Sequence, residues 1–450
     1  MRTRLLPMVA LTLLGCSRPD VIFITVDTLR VDHVGAFADD SPALTPHMDD
    51  LARDGVVYSQ AYSPISVTGP AFCTLHTGQL PGTHGVTMNL FRGGNALEPS
   101  TETLAERLQG AGYRTGAFVS GFTLRARLGL LQGFDRYDQP KNKRREGRMT
   151  TDRMLQWLDE ETGPFSSLFL WWHTYDPHGP LSPWADAPAP GTWTHDADDF
   201  AHIPKYQQLN GVSDPGFYAQ RYALAVEHTD EQVGRIVSWL KAEGRYDDAL
   251  IVLTADHGES FTERELWFDH GTTPHEEQLH VPLIVKYPEG EGARTRVDAL
   301  VGLHDIVPTV YAVLGEDLPD DLDGRPLHDP ATAGHPVLTG ESSHCKKESV
   351  LRCDPEGPLG KMLAARSDDW TFVRRPTASG DEDALYDRKT DLAERVPLDP
   401  SPTPAALRSA VDALTQDRRT RDYSGYDVST GSAAEQEEQA ALEALGYQER

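Results

Sequence analysis

Two apolar runs that each lead to an acid constrain this chain most. Val21-Ile22-Phe23-Ile24-Thr25-Val26 is continuous, largely β-branched, and stops at Asp27; Ala249 to Leu253 is a second such run and ends just before Asp256 and His257. Unbroken runs of that kind suit strands buried on both faces, because a strand with one wet face alternates apolar and polar residues. Further strands are expected at Val56–Tyr58, Thr115–Ser120, Ser167–Trp172 and Val281–Val285. Helical spacing falls between them, at Asp49–Asp54, Thr101–Ala111, Thr150–Glu160 and the long amphipathic stretch Tyr218–Ala242. Strands alternating with helices predict a mostly parallel sheet covered on both faces. Ligands of such sheets gather at the carboxyl ends of the strands, and Asp27 and Asp256 both stand there.

The 450 residues suffice for one large α/β unit and a smaller appendage. The expected division is a leader at 1–15, a main unit at 16–335, a small α+β unit at 336–400 and a helical tail at 401–450. Met362–Arg366 and Trp370–Arg374 read as a hairpin around Ser367-Asp368-Asp369. Ala185–Asp214, rich in Pro, Gly, Asp and His, reads as a surface excursion, and Gly425–Gly431 as a flexible connector. No internal repeat is visible.

The first residues speak to location. Arg2 and Arg4 precede an apolar stretch, Leu5–Leu14, too short to span a bilayer and suited to a signal peptide. Leu13-Leu14-Gly15-Cys16 resembles a bacterial lipobox, which implies cleavage before Cys16 and its lipidation, with Ser17 favouring the outer membrane. The expected location is therefore the cell envelope, on a lipid anchor. Cys345 and Cys353 are near enough in sequence to pair in an oxidising compartment, which spacing alone leaves open. The net charge of −27 repels nucleic-acid phosphates, so nucleic acid is excluded as a partner.

An acid that ends a buried strand needs a cation or hydrogen-bond donors. Two such ends, one also carrying His257, point to a divalent metal held by Asp27, Asp256 and His257. Mixed carboxylate and imidazole donors favour zinc or manganese over calcium or magnesium. Thr68-Gly69-Pro70-Ala71-Phe72 reads as a loop running into a helix, able to aim the Thr68 hydroxyl at the metal and backbone N–H groups at an anion. A cation lowers the pKa of such a hydroxyl enough to make it a nucleophile. His173-Thr174-Tyr175-Asp176-Pro177-His178 follows a strand, and Asp269-His270-Gly271 precedes one.

Several of these segments, in order, resemble the sulfatase family. They are Ile24-Thr25-Val26-Asp27-Thr28-Leu29-Arg30, Thr45-Pro46-His47-Met48-Asp49-Asp50-Leu51-Ala52, Thr254-Ala255-Asp256-His257-Gly258-Glu259, Val281-Pro282-Leu283-Ile284-Val285, Leu385-Tyr386-Asp387 with Asp391, and Ala444-Leu445-Gly446-Tyr447. The resemblance implies an alkaline-phosphatase-like α/β/α sandwich with a mostly parallel central sheet and a small C-terminal α+β subdomain. It implies a metal-dependent hydrolase of sulfate or phosphate esters, acting on a small molecule, a glycan or a lipid headgroup. The family oxidises a Cys or Ser in Cys/Ser-x-Pro-Ser-Arg to formylglycine. Here Thr68 stands at that position with Ala71 and Phe72 after Pro70, so no formylglycine is expected and Thr68 is the nucleophile and a metal ligand. His178 matches the histidine of the family's Asp-Pro-His-x-Pro segment, and His270 a substrate-binding position. Both are expected to be catalytic, or to hold a second metal together with Asp176. Two other readings stay open: a phosphodiesterase or phosphoglycerol-type transferase acting on envelope components, and a binding protein that has lost catalysis.

Overall fold

The run Val21–Val26 forms strand β1, and all six of its residues are buried. The computed structural model describes residues 18–420 except 90–95, 142–143, 162, 164–165, 182–192, 210, 329–333 and 344–359. Within it, β1 is an inner strand of a nine-stranded sheet. The remaining strands of that sheet are β2 (Val56–Tyr62), β3 (Arg114–Phe118), β4 (Arg136–Asp138), β5 (Leu168–Thr174), β6 (Leu250–Ala255), β7 (His280–Val281), β8 (Leu283–Lys286) and β9 (Thr295–Gly302). Their order is β4-β3-β5-β1-β6-β8-β2-β7, with β9 paired to β2. β1 is parallel to β5 and to β6, and β3 to β4 and β5.

The sheet reverses direction at β7 and β8. One strand is expected over Val281–Val285, and two are found. Pro282 divides them, since it has no N–H to give to a ladder. The helices are α1 (Pro46–Asp54), α2 (Thr68–Thr77), α3 (Pro81–His84), α4 (Leu104–Gly110), α5 (Gly147–Glu161), α6 (Ala197–His202), α7 (Pro215–Ala242), α8 (Glu276–Leu279), α9 (Ile306–Leu314) and α10 (Ala405–Thr420). α1 and α5 pack on α7, and α4 and α9 on α2, so the sheet is flanked by two helical groups. This is the α/β/α sandwich that the strand pattern implies.

A second, antiparallel sheet runs β10 (Leu338–Glu341), β11 (Leu363–Arg366), β12 (Trp370–Thr377) and β13 (Gly380–Asp387). The expected hairpin is its β11–β12 pair. α10 lies on this sheet, with Leu407 and Val411 packed among Leu363, Ala365, Phe372 and Leu385. Its apolar face at four-residue spacing thus packs on the small sheet. Buried charges join the two sheets. The guanidiniums of Arg366 and Arg388 lie 5.1 Å and 5.3 Å from the ring centre of Tyr62 on β2. Arg388 donates to the Tyr62 hydroxyl (2.8 Å), which donates to Glu276 (3.0 Å). Burial pushes the Glu276 carboxyl up, but His280, Arg388 and Arg366 outweigh it and hold the group at about 2.

The stretch expected as a surface excursion is not wholly one. Its described part carries α6, and Ile203, Tyr206, Gln207 and Val212 are buried. Ile203 and Val212 pack with Phe217, Tyr218 and Phe268. These few apolar residues in a polar segment anchor it to α7, and local composition does not reveal that. Among the described residues no helix is long and apolar enough to cross a membrane. Cys73 is buried and forms no disulfide among the described residues. Cys16, Cys345, Cys353 and the connector at 425–431 lie outside the described residues.

Candidate active site

Parallel registry brings the strand ends together. Val26 of β1 lies beside Thr174 of β5 and Ala255 of β6, so Asp27 and Asp256 leave the sheet side by side. The Asp27 N–H donates to Thr174 O (3.0 Å). Thr28 then turns the chain at a positive φ of 57°, a conformation that costs a β-branched residue about 1–3 kcal/mol and concentrates at functional sites. Its N–H donates to Asp256 Oδ1 (3.1 Å), and its hydroxyl returns to the Asp27 carbonyl (2.7 Å). Thr28 therefore orients Asp256 and turns its own oxygen away from the cluster.

Asp27, Asp256 and His257 are all buried, and their ligand-type atoms lie within 4.8 Å of one another. Both carboxylate oxygens of Asp27, Asp256 Oδ2 and His257 Nε2 are buried without a hydrogen-bond partner among the described residues. His257 Nδ1 lies 2.9 Å from Gly258 O, so Nδ1 carries the proton and Nε2 presents its lone pair. A backbone carbonyl orients metal-binding histidines in this way. Burial, then the charges of Asp256 and Glu259, push the Asp27 carboxyl well above its usual range, against a downward pull from Thr68. Burial also raises Asp256, which His257 opposes. Orphaned acids that repel one another around an imidazole lone pair form a donor set that fits a divalent cation.

Thr68 opens α2 and is buried. Its side chain acts on Asp27, although no well-formed hydrogen bond reaches either Asp27 oxygen. The Gly69 N–H is taken by Asn89 Oδ1 at 2.7 Å, and Pro70 has none to give. Phe72 is fully buried and meets His173 edge-on, with ring centres 5.1 Å apart.

The two further histidines converge as expected. His270 lies 4.7 Å from His178 and 4.6 Å from His257, ring centre to ring centre. His178 donates from Nδ1 to Gly179 O (2.6 Å), which leaves Nε2 to accept from the Tyr175 hydroxyl (2.8 Å). Burial holds its ring well below the usual imidazole range. Asp176 stands apart from these rings. Both of its carboxylate oxygens accept from the Gly147 N–H at the start of α5 (3.1 and 3.0 Å), and Asp176 belongs to neither group of convergent metal-ligating atoms among the described residues.

Three residues at the site carried no assigned role in the sequence. Glu259, two positions past His257, pairs with His270 Nδ1 at 3.3 Å, and its charge reaches Asp27. His173, the last residue but one of β5, has Nε2 3.4 Å from Asp27 Oδ2. Asn89 braces the start of α2. The first two sit inside recognisable motifs; Asn89 has no local signal.

The fold and this cluster define a hydrolase of sulfate or phosphate esters on an alkaline-phosphatase-like scaffold. The family model described as Sulfatase matches residues 19–316, and the chain belongs to the sulfatase family. An ulvan-active sulfatase of Formosa agariphila is 24% identical over 451 residues, covering 90% of this chain and 84% of that protein. Among solved structures, the phosphonate monoester hydrolase of Agrobacterium radiobacter superposes with a TM-score of 0.69 at 21% identity, over 89% of this chain and 95% of that one. A structure in complex with its substrate D-glucosamine-2-N,6-O-disulfate superposes with a TM-score of 0.71 at 19% identity, over 90% and 99%.

Proposed function

We propose that the protein hydrolyses singly charged esters, phosphodiesters first, with the Thr68 oxygen as nucleophile. The observation that carries this is the Thr68 hydroxyl against Asp27 within the Asp27–Asp256–His257 cluster. Asp27, Asp256 and His257 would hold a divalent cation there, whose charge would favour release of the Thr68 hydroxyl proton to solvent and would offset charge on the ester. In-line attack forms the bond from Thr68 Oγ1 to phosphorus as the bond to the leaving alcohol breaks. His270, held by Glu259, gives that alcohol its proton. Water then releases the ester from Thr68.

Charge and chemistry decide the substrate class. Asp27, Asp256 and Glu259 balance one divalent cation and a protonated His270, and burial keeps His178 neutral, so the site holds no surplus positive charge for a dianionic monoester. Phe72 adds no positive charge. Threonine carries a single oxygen on its β-carbon, so a sulfated Thr68 has no elimination route and must await a second displacement. Hydrolysis of sulfate esters is the second reading, supported by the sulfatase relatives.

Rates on an aryl phosphodiester, an aryl sulfate and an aryl phosphate monoester, each with manganese or zinc, test the order. We expect kcat/KM for the diester to exceed that for the monoester by about tenfold or more, the equivalent of roughly 1.4 kcal/mol. A monoester preference defeats the charge argument, and a sulfate preference installs the second reading.

We further propose, from the Leu13-Leu14-Gly15-Cys16 segment, a location in the cell envelope on a lipid anchor at Cys16. Cys16→Ser is expected to move the protein from the membrane fraction to the soluble one. Unchanged membrane association of that variant removes the anchor.

A further inference from the structure

We infer that His304, Asp305 and His335 form a second metal site, separate from the catalytic cluster, that takes a borderline-soft divalent cation of the zinc type. His304 and Asp305 lie in the tight turn that follows β9. His335 is fastened beside it, its N–H donating to Leu300 O at 2.8 Å. Ligand-type atoms of the three residues lie within 4.8 Å of one another.

The carboxylate is already oriented for the purpose. Asp305 Oδ1 accepts from the Arg325 N–H and Oδ2 from the Gly302 N–H, both at 2.8 Å. Backbone donors of this kind fix a metal-binding carboxylate from behind and leave lone pairs for the ion. His335 Nε2 faces those lone pairs at 2.9 Å.

His304 is the residue that hydrogen bonding leaves unexplained. Its side chain is 6% exposed, and Nε2 stands 3.9 Å from Asp305 Oδ1, too far for a hydrogen bond. Nδ1 is buried with no partner among the described residues. The ring folds so closely over residue 302 that a Cβ there would come 2.2 Å from His304 Cε1, so Gly302 is what lets the imidazole lie beside the carboxylate. The two imidazole rings are 5.0 Å apart. One carboxylate satisfies one histidine, and a second buried imidazole gains nothing from the arrangement unless both share a cation. The charge of Asp323 also reaches His304 and favours a cation, whereas that of Arg325 opposes one. Two nitrogens and one carboxylate suit zinc and disfavour calcium or magnesium. Such an ion would staple the segment leading into β10 to the end of β9, where the small sheet begins.

The test is zinc content and zinc affinity of the full chain after chelator treatment and reconstitution. His304→Gln and His335→Gln are each expected to hold one zinc per chain fewer than the parent and to lose the parent's high-affinity cobalt absorption at this site. Asp256→Asn is expected to lose a different equivalent, and its combination with His335→Gln to lose both. Ester hydrolysis by His335→Gln should remain at the parental rate. His335 is partly exposed, so its variant folds even if His304→Gln does not. Parental zinc content and cobalt spectrum in His335→Gln would overturn the inference, whatever the catalytic cluster binds.

Discussion

Thr68→Ala will lower kcat on the best ester by about a thousandfold or more, as loss of a nucleophile does elsewhere, and will leave metal content unchanged. The hydroxyl opens α2, against Asp27 and beside the ligand atoms of Asp256 and His257. The removed atoms are few and the helix is packed on every side, so the fold should persist. Thr68→Ser keeps the oxygen and should retain a rate within about tenfold of the parent, since only a methyl group is lost. That pair separates chemistry from packing. If alanine and serine behave alike, the oxygen is not the nucleophile. Retained turnover in Thr68→Ala moves attack to a water molecule.

Asp27→Asn will abolish turnover and at the same time stabilise the metal-free protein. Both Asp27 oxygens are buried without a hydrogen-bond partner among the described residues, and the charges of Asp256 and Glu259 act on them. A neutral amide of the same shape removes that repulsion and offers an N–H to the neighbouring acid, a gain of roughly 1–3 kcal/mol without metal. The parent should regain stability on adding zinc or manganese, by about 2.7 kcal/mol at a hundredfold excess over Kd. The variant should respond far less. Thermal unfolding of both proteins, with chelator and with metal, measures this directly. A variant that is less stable than the parent in chelator, yet keeps the full metal response, would show that Asp27 is structural and not a ligand.

The two predictions rest on residues of different legibility. Asp27, Asp256 and His257 were visible in the chain because a buried strand that terminates in an acid is locally anomalous, and the anomaly recurs. The inner strands were equally plain, since residues such as Val21–Val26 must be apolar throughout when both faces are covered, whereas β4, β9 and β10 carry no such run and were not read. Thr68, His178 and His270 were reached through motif resemblance, and the fold gathers all three around the Asp27–Asp256–His257 cluster. Asp176 shows the limit of that approach. It shares a segment with His178, yet its carboxylate caps the start of α5, because a turn of two residues suffices to aim neighbouring side chains in opposite directions.

By itself the sequence determined the layered α/β architecture, the strand ends that carry the acids and the family to which the chain belongs. All of these follow from periodicity and short motifs, which are properties of neighbouring residues. Only the tertiary structure decided that Glu259 supports His270, that Asn89 takes the amide at the head of α2, that the Tyr206 hydroxyl donates to Asp269 beside His270, and that His335 meets His304 and Asp305. Each of those contacts joins segments through loop closure or side-chain direction. Their physical cause is the packing of the whole sheet and its helices, which no local run of residues encodes.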